Sequence, residues 1–179
     1  MKISRPLIRS RRLGAIAALG SLAAMGAAAG QATAGAAHAA ATPACQTASL
    51  VVWLDTQSNG AAGHFIYTLN FTNLSGHKCT LRGYPGISGV DLHGHQLGAA
   101  ATKDNARPIK TITVGKGKTA STLMAITDVG VLPASTCKPV TAAGLRVFPP
   151  NQTASKVIPY PFQACSKSGA RYIGVQAVR

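Results

Sequence analysis

Glutamate is absent from this chain of 179 residues, and acid is confined to Asp55, Asp91, Asp104 and Asp128. None of the four is close to another in sequence, so the paired carboxylates of glycoside cleavage have little to draw on; Asp55 and Asp104 read as loop residues. Aromatic residues make up 5% of the chain, with a single tryptophan, Trp53. Without a basic helix or an aromatic ladder, nucleic acid is not expected as a partner. Past the signal-like start, no window of about eleven residues or more has helical spacing, which excludes a helical bundle. Gly86-Ile87-Ser88-Gly89 lacks the G-x-S-x-G spacing of a hydrolase nucleophile. These absences point away from an enzyme and give no cofactor a home.

The first 39 residues differ from the rest. Lys2, Arg5, Arg9, Arg11 and Arg12 make a basic start, Leu13 to Ala29 is uncharged, and Ala37-His38-Ala39 and Ala32-Thr33-Ala34 offer A-x-A cleavage sites. That order is the layout of a secretory signal peptide, residues 1–39, ahead of a single domain at 40–179. A retained membrane span needs about 20 strongly apolar residues, and Ala and Gly dilute this stretch. Ser10-Arg11-Arg12-Leu13 resembles a twin-arginine signal but lacks the bulky apolar residues that follow one, so the export route stays open. Thr42-Pro43-Ala44 before Cys45 is not a lipid-attachment motif. A secreted protein, released to the medium or held in the cell-wall space, is the expectation.

What remains is basic: thirteen lysines and arginines against four aspartates, a net charge of +9. Such a surplus attracts polyanions through a field that salt screens. Anionic cell-wall polymer, or another secreted protein, is therefore the expected kind of partner. Cys45, Cys79, Cys137 and Cys165 lie tens of residues apart, without the C-x-x-C pairs of a metal site. An even count in an exported domain reads as two disulfides, with three pairings possible. His93-Gly94-His95, with His64 and His77, would be the only imidazole set for a metal, but His93-Gly94 reads as a turn.

Alternation of apolar and polar residues places the strands. Phe65, Tyr67, Leu69 and Phe71 share one face of the clearest run. Leu50–Leu54, Thr111–Val114, Ala120–Ile126, Leu145–Phe148 and Tyr172–Val178 complete the set, the run at 120–126 being apolar on both faces as in mid-sheet. Gly115-Lys116-Gly117 reads as a hairpin turn and Leu92-His93-Gly94-His95 as another. About seven to nine short strands with frequent turns argue for an all-β fold, an immunoglobulin-like two-sheet sandwich. If the first two strands are antiparallel neighbours, Cys45 at the start of one lies near Cys79 beyond the end of the other. Cys137 and Cys165 flank the Leu145–Phe148 strand and the loop after it. The pairing Cys45–Cys79 and Cys137–Cys165 then needs no long reach.

Phe71-Thr72-Asn73-Leu74-Ser75-Gly76, Cys79-Thr80-Leu81-Arg82-Gly83-Tyr84-Pro85-Gly86-Ile87-Ser88 and Gly144-Leu145-Arg146-Val147-Phe148-Pro149-Pro150 together resemble the signature segments of an actinobacterial family named domain of unknown function 4232. The likeness runs from Cys45 to Val178 and implies an exported or lipid-anchored β-sandwich with no settled activity. Many relatives resemble lipoproteins, and this chain departs from them at the lipid-attachment motif. Gly83-Tyr84-Pro85-Gly86 reads physically as a turn pinned by a large ring, and Asn73 as a strand exit. Asn70, Asn73 and Asn151 also fit the N-glycosylation pattern, two of them at the strand and its exit. The expected role is an exported, non-enzymatic module that binds or organises a partner in the envelope or medium. A small secreted enzyme or inhibitor acting through loops, or a histidine metal-binding protein, are the alternatives.

Overall fold

The strongest alternation in the chain builds the longest ladder. In the computed structural model, which describes residues 41–179, β1 (Leu50–Ala61) runs antiparallel to β2 (His64–Asn73), from Leu50↔Asn73 to Ala61↔His64. Tyr67, Leu69 and Phe71 are buried, and Phe65 on the same face is half exposed at the open end. Burying each such side chain contributes about 1.5–3 kcal/mol. The signal-peptide reading of residues 1–39 lies outside the described residues.

The remaining strands follow in chain order: β3 (Cys79–Arg82), β4 (Gly86–Val90), β5 (Gln96–Leu97), β6 (Thr102–Lys103), β7 (Thr111–Val114), β8 (Thr119–Thr127), β9 (Pro139–Phe148), β10 (Lys156–Cys165) and β11 (Ile173–Val175). They form a five-stranded sheet in the order β1-β2-β8-β11-β6, a four-stranded sheet β10-β9-β4-β5 and a two-stranded ladder β3-β7. Only β11 and β6 pair in parallel among these named strands. β8 sits mid-sheet, as its two apolar faces require, with Ala120, Thr122, Met124 and Ile126 turned to the core. The fold is all-β, with its two larger sheets sharing one core and a small third ladder beside them.

Aromatic rings join the two larger sheets. Tyr67 and Tyr160 meet edge to face at 5.5 Å, and the Tyr160 hydroxyl donates to that of Tyr67 at 2.8 Å. Tyr172, next to β11, lies beside Phe162 of β10 and donates its buried hydroxyl to the Leu97 carbonyl. Two disulfides close the open ends: Cys45–Cys79 and Cys137–Cys165, each with Cα atoms 4.9 Å apart. The first ties the segment before β1 to β3, where Cys45 N–H donates to the Thr80 carbonyl. The second locks the β9–β10 ladder where Cys165 faces Pro139.

Two local expectations fail for identifiable reasons. Gly115-Lys116-Gly117 turns tightly but joins no hairpin, since β7 pairs with β3 and β8 with β2. Asn73 occupies the junction: its backbone bonds Lys118 and Gly117, and its amide donates to the Val114 and Gly115 carbonyls. Asp55 lies on β1, at the start of the bulge that separates Asp55 from Asn59 in the register, and not in a loop.

Candidate functional site

The four aspartates share one structural task. Asp55, Asp91, Asp104 and Asp128 each accept a hydrogen bond from the backbone N–H two residues on, at Gln57, His93, Ala106 and Gly130. This is the Asx turn, in which a side-chain oxygen replaces a backbone acceptor. Asp104 also accepts from the Gln176 amide at 2.9 Å, and these two donors hold its carboxyl below the usual range. Asp91 carries the β4–β5 turn. Some desolvation works to raise its pKa, but hydrogen bonds from His95 and His93 outweigh that and lower it. The rings of His93 and His95 lie 5.9 Å apart on this turn, while His64 bonds Thr127 on the other sheet. Among the described residues no three His, Cys, Asp or Glu side chains converge as a metal site would require. Ser88 is buried in β4, 3% exposed.

Three of the acids organise turns and Asp55 organises the β1 bulge, and the basic residues are left without carboxylates. The single acid–base contact among the described residues is His95–Asp91, so no lysine or arginine there has an acidic partner. Two of them bond carbonyls instead: Arg146 donates to Gly94, and Lys167 to Ser135 at 2.6 Å. Lys167 and Arg171 rim an open cleft of about 680 Å³ with Ser135, Thr136 and Ser168. Arg107, Lys110 and Arg179 surround a smaller one of about 160 Å³, floored by Ile112 and Val178.

The outer face of the five-stranded sheet carries a different chemistry. Residues opposed across a ladder share a face, and the register places Trp53, Asn70 and Ser121 in one row. Ser121 and Arg179 exchange both backbone hydrogen bonds, at 3.1 and 2.8 Å, so Arg179 continues that row. The parallel row is Val51, Thr72 and Thr119. Trp53 is 43% exposed, and its indole N–H donates to Thr72 Oγ1 at 3.1 Å, which in turn bonds Thr119 Oγ1 at 2.8 Å. The edge of the ring is thus tied to a pair of linked hydroxyls.

The segments flagged in the sequence now have places. Gly83 adopts a φ of +100° between β3 and β4, a conformation that favours glycine. Tyr84 beside it is half-buried against the core, its hydroxyl donating to Asn105 at 2.8 Å with the Lys103 ammonium 5.7 Å from its ring centre. Gly144 in β9 runs so close to Ile158 that a Cβ there would strike the Ile158 carbonyl. Residues 45–179 match the family described as Domain of unknown function (DUF4232). The chain belongs to that family. No curated protein matches it. In this DUF4232 domain the glycosylation-like asparagines are structural. Asn73 is fully buried, Asn70 is 7% exposed, and Asn151 donates to the Arg82 carbonyl at 3.1 Å.

Two disulfides with no free cysteine among the described residues are the usage of an oxidising compartment. No helix among those residues is long and apolar enough to cross a membrane. Sequence reasoning found the cysteines and the charge but missed the Trp53 row. Leu50–Leu54 reads as an unbroken apolar run, so which side of β1 faces solvent is set only by its pairing with β2.

Proposed function

We propose that this DUF4232 domain is an exported, non-enzymatic module that binds a polyanionic partner in the cell envelope or the surrounding medium. One observation carries the reading: among the described residues the lysines and arginines have no acidic partners, while all four aspartate carboxylates bond backbone N–H groups at turns and at the β1 bulge. Paired surface charges contribute little to stability and would cancel the field; unpaired ones project it toward a partner. The disulfides and the signal-like start support a location outside the cytoplasm.

The test is retention of the purified, disulfide-bonded protein on isolated anionic cell-wall polymer across a salt series. Binding at about 0.05 M salt that is lost by about 0.5 M is the expected result, because the screening length shrinks several-fold over that range. A protein that fails to bind at the lowest salt, or whose binding ignores salt, removes the electrostatic basis of the proposal.

A further inference from the structure

The polyanion reading leaves the contact surface and the chemistry of the polymer to be assigned, and the outer face of the five-stranded sheet supplies both. The geometry points to an acidic polysaccharide as its occupant, a chain of pyranose rings bearing carboxylates. This inference rests on the polyanion reading and narrows it.

Five features converge. Trp53 is 43% exposed and anchored by its bond to Thr72, and the electron-rich face of an indole attracts the polarised C–H groups on one side of a pyranose. Around it stand Thr72, Thr119 and Ser121, short side chains whose hydroxyls donate to and accept from sugar hydroxyls. Arg179 lies in the same row as Trp53, three strand intervals away, or about 14 Å. That is the length of a short oligosaccharide, and a guanidinium fork matches a carboxylate. Asp55, on the Trp53 side of the face, repels an anion there and directs it toward Arg179. Beside the row, Ile66, Leu123 and Ala125 floor a depression of about 150 Å³ with Gln176, whose amide holds Asp104 at its rim and whose buried Oε1 has no partner among the described residues. Like Asp55, Asp104 keeps carboxylates off this part of the face, which would take neutral hydroxyls.

Other occupants fit less well. A phosphate-linked polyol chain has no ring to stack on Trp53. A second copy of this chain would need a more apolar centre than Val51 and Trp53 amid hydroxyls and amides.

Trp53 is the sole tryptophan of the chain, so tryptophan emission, excited at the red edge where its tyrosines do not absorb, reports on this face. The full, disulfide-bonded protein is titrated with oligogalacturonate, with a neutral maltooligosaccharide of equal length and with polyphosphate. The expected result is a saturable fluorescence change with oligogalacturonate. By calorimetry, Trp53→Ala weakens that binding about tenfold or more and Trp53→Phe weakens it less, each measured at a temperature where the variant remains folded by circular dichroism. Arg179→Ala weakens binding of oligogalacturonate but leaves the weaker binding of the neutral sugar unaltered. Polyphosphate binding that survives Trp53→Ala, with no fluorescence response to oligogalacturonate, overturns the face assignment while the polyanion reading stands. Failure of every polyanion at low salt removes both. Dimerisation that Trp53→Ala abolishes also overturns the assignment, since a second copy would then cover the row.

Discussion

Asn73 has no exposed surface, yet it satisfies more of its surroundings than any other polar side chain in the core. Its amide donates to the carbonyls of His77, Val114 and Gly115, and its oxygen accepts from the N–H and hydroxyl of Ser75. Truncation leaves several buried acceptors unpaired at once, so Asn73→Ala is expected to cost about 3 kcal/mol, read as a lower urea midpoint at unchanged slope. A loss under about 1 kcal/mol would mean that solvent reaches the junction. Tyr172 makes a second prediction. Burial pushes its hydroxyl from an ordinary 10 up to about 12. The unfolded chain therefore releases this proton at lower pH than the native one, so stability present below pH 10 declines as pH rises from 10 toward 12. Tyr160, raised to about 12 by burial and its bond to Tyr67, acts in the same direction. Thermal melts across that interval should fall together with the rise of tyrosinate absorbance; a flat profile would contradict the burial.

Among the elements, β9 and β10 depend most on a covalent tie. β10 is an edge strand carrying Pro159 and Pro161 with a register shift between Pro159 and Phe162, so its ladder to β9 is interrupted midway. Cys137–Cys165 closes the far end of that ladder across 28 residues. The double variant Cys137→Ser/Cys165→Ser is expected to lose about 3–4 kcal/mol in calorimetry. The same prolines explain why β10 is not visible in the sequence: they argue against a strand unless it is an edge. β2 and β8, by contrast, are legible from alternation alone, because each buries one full face or lies mid-sheet. The two-residue β5 and β6 carry no periodic signal, being defined by their neighbours. β1 runs past Leu54 through polar residues that only pairing with β2 makes extended, and that same pairing exposes Trp53. The disulfide partners were readable because strand order brings their ends together. The row on the outer face was not, since Arg179 joins it through two backbone bonds that no local pattern announces.

For the whole molecule, unopposed positive charge acts against the compact state as well as for binding. Added salt should therefore raise the melting temperature by a few degrees while it weakens polyanion binding, two opposite responses from one field. Melting that is insensitive to salt would show that the cations are too dispersed to repel. The Asx turns add an evolutionary consequence. Asparagine offers the same side-chain oxygen to the same N–H, so the geometry at positions 55, 91, 104 and 128 survives an Asp→Asn exchange even as a negative charge disappears. Folding information and electrostatic strength thus reside in different atoms of one residue. Selection can retune attraction in single-charge steps without redesigning a bend.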